Sequence, residues 1–217
     1  MTKKEFFNMV DHTILKPNAT KEEVIKVLEF ARDNECASAC ISPCFVNLAK
    51  SILKGSKTKV CTVIGFPSGM HTTNSKVFEA KDAYNNGAEE IDMVLNVSKM
   101  KDKDYDYIYN DVKSVVDATP CLTKVILEVC NLTDEEIIKA CEICENCGAK
   151  FVKTSTGFSS SGASVKAVEL MKNAISNNVK VKASGGIKNL EECNNLIKAG
   201  AERLGLSRTN EIANEIQ

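Results

Sequence analysis

Residues 148–158 read GAKFVKTSTGF, and the order of residue types in this stretch decides how the chain is built. Gly148 falls just after a helical pattern, where a left-handed residue closes a helix. The turn GAK then leads into Phe151 and Val152, the start of an apolar run that carries β-branched Thr154 and Thr156 and stops at Gly157. This is a helix end, a tight turn and a buried strand, followed by a hydroxyl-rich loop, TGFSSSGAS (156–164). One residue does not fit: Lys153 stands inside the strand, and lysine is almost never fully buried without a partner or a task.

The same unit recurs along the chain without a sequence repeat. Further apolar, β-branched runs occur at 9–15 (MVDHTIL), 37–42 (ASACIS), 59–65 (KVCTVIG), 89–95 (EEIDMVL), 123–129 (TKVILEV), 179–184 (VKVKAS) and 202–207 (ERLGLS). With 150–156 they make eight expected strands. Helical patterns separate them, with capping boxes at Thr20/Glu23 and Thr133/Glu136 and further starts expected at Asn74 or Ser75, Asp104, Ser164 and Asn189. Gly87 and Gly200 close two of these helices as Gly148 closes a third. Strands joined by helices of this length pair in parallel through right-handed crossovers. Their count and the 217-residue length predict a closed (β/α)8 TIM barrel of class α/β rather than an open doubly wound sheet. No linker divides the chain, so residues 1–217 read as a single domain, and MTKKEFFNMV as a short N-terminal helix closing the barrel bottom.

Composition narrows the function classes. A net charge of −1 gives no electrostatic reason to expect nucleic acid or an anionic membrane as partner. No apolar run approaches the ~20 residues of a membrane span, and no signal-peptide core follows the N-terminal lysines. The ten cysteines do not suggest a disulfide scaffold in a chain able to build a full core. Cys141, Cys144 and Cys147 in CEICENC resemble part of an iron–sulfur run, yet they fall on the apolar stripe of a helix with Ile137 and Ala140 and read as core packing. A cytoplasmic protein with reduced thiols is expected, and His12, inside a strand, reads as a packed residue.

In a barrel of this kind, side chains at the C-terminal strand ends line the active site. Asp11, Cys40, Asp92, Glu128, Lys153 and Lys182 all fall in or at the ends of expected strands. An amine is nucleophilic only when neutral, and bringing lysine from about 10.4 to near 7 requires roughly 4 kcal/mol. Burial and a second lysine nearby supply that, so Lys153 and Lys182 in one barrel mouth are expected to disfavour each other's protonation. A neutral lysine adds to an aldehyde and forms an imine, the route of class I aldolases. Asp92, in EEIDMVLN, needs a partner in so apolar a strand and is placed to shuttle protons.

A phosphate site is also expected. SGGIKN (184–189) sets two glycines between a strand end and a helix start, and GLSR (205–208) follows the last strand with Ser207 and Arg208. Loops after strands 7 and 8 are where such barrels often hold phosphate.

The blocks DHTILKP (11–17), ACISPCFV (39–46), KVCTVIGFPSG (59–69), EAKDAYNNGAEEIDMVLNV (79–97), KVILEVCNL (124–132), FVKTSTGF (151–158), VKASGGIK (181–188) and RLGLS (203–207) together resemble the deoxyribose-phosphate aldolases. The resemblance implies a class I lyase that reversibly cleaves 2-deoxy-D-ribose 5-phosphate to acetaldehyde and D-glyceraldehyde 3-phosphate, in nucleotide catabolism. By motif, Lys153 would carry the Schiff base, Lys182 would tune it and Asp92 would relay protons. Asp11, Cys40 and Thr156 would lie near the substrate, its phosphate resting on Gly157, Gly185, Gly186 and Ser207, with Arg208 either supplying charge there or pointing to solvent. No metal or organic cofactor is implied, and the family suggests a homodimer. Leu206 and Arg208 depart from the family pattern, which has a small or hydroxyl residue and a second serine there. Rival readings are another imine-forming phosphosugar lyase and a non-catalytic phosphosugar-binding barrel, which would be expected to lack Lys153 or Asp92.

Overall fold

The computed structural model describes residues 1–216. Eight parallel strands close on themselves in chain order: β1 Val10–Ile14, β2 Ser38–Ile41, β3 Lys59–Ile64, β4 Glu90–Val94, β5 Leu122–Ile126, β6 Phe151–Lys153, β7 Lys180–Ser184 and β8 Ala201–Leu206. The (β/α)8 barrel is therefore observed, with β1 pairing both β2 and β8. Each strand lies inside the stretch its composition marked or within a residue of it.

Helices fill the intervals. α1 (Lys3–Phe7) precedes the barrel, and α2 (Lys21–Asp33), α3 (Val46–Ile52) and α4 (Thr73–Asn86) follow the first three strands. Then come α5 (Val97–Lys101), α6 (Tyr105–Ala118), α7 (Asp134–Asn146), α8 (Val165–Asn173), α9 (Leu190–Lys198) and α10 (Thr209–Ala213). The capping boxes at Thr20 and Thr133 both form, and Asp104, Ser164 and Asn189 cap α6, α8 and α9. α4 starts earlier than expected: Thr72, not Asn74 or Ser75, accepts the Ser75 N–H. Phe6 and Phe7 of α1 are buried in the core at the N-terminal end of the strands.

The core lies between sheet and helices, and Cys141, Cys144 and Cys147 are buried in it as the α7 stripe predicts. All ten cysteines are free thiols. Lys76 of α4 shows what a purely structural buried lysine looks like: its Nζ bonds Asp111 of α6 at 2.6 Å and the Val94 carbonyl at 3.0 Å, outside the barrel.

His12 is packed as expected, its Nδ1 2.8 Å from Thr209 Oγ1 and its ring against Phe30. Burial lowers its pKa from 6.5 to about 4. Its neutral form is favoured in the fold, so its contribution is complete above pH 6.5 and is lost as pH falls toward 4. Urea midpoints at pH 7 and pH 5 should therefore report a loss of about 2 kcal/mol, a step that His12→Gln flattens.

Candidate active site

Strand geometry gathers a cluster of ionised side chains inside the barrel. The pairing sets Asp92 of β4 beside Lys124 of β5, Lys153 of β6 beside Lys182 of β7, and Lys182 beside Arg203 of β8. The last pairing follows a register shift that passes over Glu202, an irregularity of the kind that re-aims side chains near active sites. Asp92 is the hub. Its Oδ2 accepts from both Lys153 and Lys182 at 2.7 Å, while its Oδ1 accepts from Lys124 at 2.9 Å. Lys182 also bonds Asp11 at 2.5 Å, and Arg203 joins Asp11 at 2.6 Å and Glu90 at 3.2 Å. Lys124 closes the ring on Glu90 at 2.6 Å.

Four cationic groups (Lys124, Lys153, Lys182, Arg203) thus meet three carboxylates (Asp11, Glu90, Asp92). Cationic groups therefore outnumber carboxylates by one in a buried cluster. Burial would raise the Asp92 carboxyl, but Lys124, Lys153 and Lys182 outweigh it and hold Asp92 well below the usual carboxylate range. Asp11 is likewise held low against burial by Lys182, Lys124 and Arg203. The expected mutual effect of the two lysines needs correction for Lys182. Burial opposes its charge, but Asp11 and Asp92 prevail and raise its pKa above the ordinary lysine value. Lys182 is a fixed cation because it has two carboxylate partners.

Of these ionised groups, only Lys153 reaches the wall of the cavity at the C-terminal end of the strands, a space of about 490 Å³. Thr156, Gly157, Gly185, Gly186 and Ser207 line the same cavity, so most of the expected phosphate-end residues share one space with Lys153. Gly157, Gly185 and Gly186 adopt positive φ, and the β6 loop packs on the β7 loop through an Ala163 N–H bond to the Gly185 carbonyl at 3.0 Å. Leu206 contributes an apolar surface where the resemblance expects a small or hydroxyl residue. Arg208 lies outside the wall; its Nε donates to Glu211 on the exposed face. Asp11 and Cys40 sit behind the wall, fully buried, Asp11 within the ion cluster and Cys40 paired across the strands with Cys61. Phe158 closes edge-on over Phe66, with ring centres 5.3 Å apart.

Lys124, Glu90 and Arg203 belong to the cluster but were not singled out in the sequence. The signal was the one that marked Lys153: a charge inside an apolar strand, in TKVILEV, EEIDMVL and ERLGLS. Cys40, Cys61 and Asp92 bring possible metal ligands within 4.8 Å of one another. The donor set does not fit a resident cation, because Asp92 already accepts from three lysines and the ion would stand among positive charges. Among the described residues, no helix is long and apolar enough to cross a membrane.

Known proteins share this architecture and much of its sequence. The family model for DeoC/LacD family aldolases matches residues 6–206. The deoxyribose-phosphate aldolase of Thermoanaerobacter pseudethanolicus is 53% identical over 211 residues, covering 95% of each chain. That of Clostridium perfringens is 51% identical over 209 residues, covering 95% of this chain and 93% of its relative. The solved tetrameric deoxyribose phosphate aldolase of Aeropyrum pernix superposes with a TM-score of 0.92 at 28% identity, covering 99% of this chain and 92% of that one.

Proposed function

The chain belongs to the DeoC/LacD aldolase family, and on that premise we propose that it is a class I aldolase cleaving 2-deoxy-D-ribose 5-phosphate reversibly to acetaldehyde and D-glyceraldehyde 3-phosphate. The observation that carries this reading is the placement of one carboxylate oxygen. Asp92 Oδ2 lies 2.7 Å from both Lys153 and Lys182, and only Lys153 opens on a cavity that runs to the glycine loops. The names of the relatives supply the substrate.

In this mechanism Lys153, as the free amine, adds to the C1 aldehyde of the open-chain sugar. Asp92 carries protons between Lys153 and the carbinolamine hydroxyl, which leaves as water and gives a protonated imine. Lys182 stays charged and keeps Asp92 ionised and oriented. The imine then accepts the electron pair of the C2–C3 bond as the C3 hydroxyl loses its proton, and glyceraldehyde 3-phosphate departs. The remaining enamine is protonated at C2, and hydrolysis releases acetaldehyde and restores the amine. The iminium is the electron sink, so the reaction requires neither metal nor organic cofactor. Phosphate held by Gly157, Gly185, Gly186 and Ser207, with Thr156 bonded to Glu128 behind them, fixes C3 at the proton-transfer groups, so remote binding energy serves the chemistry. Arg208, held by Glu211 outside the wall, takes no direct part.

The enzyme is read as a cytoplasmic homo-oligomer acting on small phosphosugars and aldehydes. Its unpaired cysteines suit a reducing compartment. The tetrameric relative supports oligomerisation without selecting a dimer.

Gly205 leaves the space that Lys182 fills. An added Cβ would stand 3.1 Å from Lys182 Cε and 2.8 Å from Ser184 Cβ. Gly205→Ala should therefore displace the Lys182 amine and lower kcat by up to about 10²-fold, as steady-state rates would report. The proposal as a whole is tested by following 2-deoxyribose 5-phosphate by NMR with catalytic protein. Equal amounts of acetaldehyde and glyceraldehyde 3-phosphate are expected. No turnover of this sugar, with turnover of another phosphosugar, would assign the site to a different imine-forming lyase.

A further inference from the structure

Just beyond β5, Glu128 turns the chain through a left-handed backbone conformation, φ 55° and ψ 59°, that side-chain-bearing residues rarely adopt. Backbone bonds seat this turn against the strand that carries Lys153. Leu127 N–H donates to the Lys153 carbonyl at 2.9 Å and Val129 N–H to the Thr154 carbonyl at 3.0 Å. The Glu128 side chain, only 5% exposed, reaches across to Thr156. Oε1 accepts the Thr156 N–H at 3.2 Å, and Oε2 accepts the Thr156 hydroxyl. The Thr156 oxygen in turn accepts the Phe158 N–H at 3.0 Å.

A buried carboxylate under a loop that holds an anion is electrostatically unfavourable unless its bonds accomplish something the charge does not undo. Here both oxygens are spent on residue 156, and through its hydroxyl they fix residue 158. Gly157, between them, is left facing the cavity at φ 86°. Main-chain geometry at the phosphate end is thus set from behind by one acid. We propose that Glu128 is a positioning residue for capture of the substrate's phosphate, acting through Thr156 on the Thr156–Phe158 loop without touching the sugar.

This inference rests on the phosphate reading of that loop. It separates from the imine chemistry because Lys153 is held by Asp92, on another strand, rather than by Glu128. Damage at Glu128 should impair capture of a phosphorylated sugar and spare addition of a small aldehyde to Lys153.

The test compares KM for 2-deoxyribose 5-phosphate and for 2-deoxyribose, alongside borohydride trapping of acetaldehyde. Glu128→Ala is expected to raise KM for the phosphosugar about tenfold and that for the free sugar less than about twofold. Glu128→Gln keeps an oxygen for the Thr156 N–H and is expected to raise the phosphosugar KM only about threefold. Both variants should retain the acetaldehyde adduct on Lys153. Thr156→Val combined with Glu128→Gln should cost less than the sum of the two single changes, since both cut the same link. The proposal is overturned if either variant shifts both sugars equally or neither, or if both lose the adduct, which would make Glu128 a support of the barrel. Should Glu128→Ala not fold, the Gln variant alone decides on the same criteria. A native enzyme that shows equal KM for both sugars would overturn the phosphate reading and this proposal with it. A native enzyme that forms no adduct would instead overturn the imine reading.

Discussion

Lys153→Met is expected to reduce kcat by about 10⁴-fold or more, because the variant has no amine to form the covalent intermediate. The fold should survive the change. Lys153 is bonded to one carboxylate, and Asp92 keeps Lys124 and Lys182 as partners. Four cations against three carboxylates become three against three, so the substitution relieves an excess charge instead of leaving one unpaired. Methionine matches the length and flexibility of the lysine stem. Steady-state rates together with a thermal melt would check the combination: activity near the uncatalysed level with a melting temperature at or above that of the native enzyme. A large fall in both would mean that Lys153 is primarily a structural ion-pair partner.

Asp92→Asn is expected to show the opposite balance. The hub loses its charge while three lysines still point at it, leaving four cations to two carboxylates in a dry interior. Removing one partner from a buried ion cluster costs about 3–5 kcal/mol, which urea titration at pH 7 would report. The amide side chain also turns one acceptor oxygen into a donor, so it cannot bond all three amines. Loss of proton transfer between Lys153 and the carbinolamine should lower kcat by a further 10²–10⁴-fold or so. Asp92→Asn should therefore be less stable than Lys153→Met although both are inactive. Equal stability of the two variants would contradict the hub role.

These contrasting expectations depend on how the strands are arranged around the barrel, and that arrangement was only partly visible in the chain. The strands themselves were legible because each apolar, β-branched run is punctuated by a capping residue or a closing glycine, as at Gly87, Gly148 and Gly200. Asp92, Lys153 and Lys182 were legible because each puts a charge into such a run. The same rule applied to Lys124, Glu90 and Arg203, but each is the second residue of its run, in TKVILEV, EEIDMVL and ERLGLS, where a charge reads as a solvated edge. Closure of β8 on β1 and the register shift at Glu202 carry Arg203 to Asp11, residues far apart in sequence, and no local pattern encodes that meeting.

The phosphate end shows the same division. Gly157, Gly185, Gly186 and Ser207 converge because strand ends converge in any closed barrel. Arg208 does not: it lies two residues past the end of β8, and Glu211, a turn away on α10, holds it outside. The start of α4 was ambiguous for a simpler reason: Thr72, Thr73, Asn74 and Ser75 are all competent caps, and only Thr72 has the extended backbone that an N-cap needs. The sign of the electrostatic effect on Lys182 was also beyond the sequence, because it turns on Asp11, which a linear reading places at the substrate rather than beneath the lysine.

Covalent trapping tests the central claim most directly. The protein would be incubated with acetaldehyde and borohydride, digested, and searched by mass spectrometry for a reduced two-carbon adduct. The mechanism predicts one stoichiometric adduct, on the peptide carrying Lys153, none in Lys153→Met, and none on Lys124 or Lys182, which stay charged among carboxylates. An adduct on Lys182 with Lys153 unmodified, or no adduct on either, would contradict it.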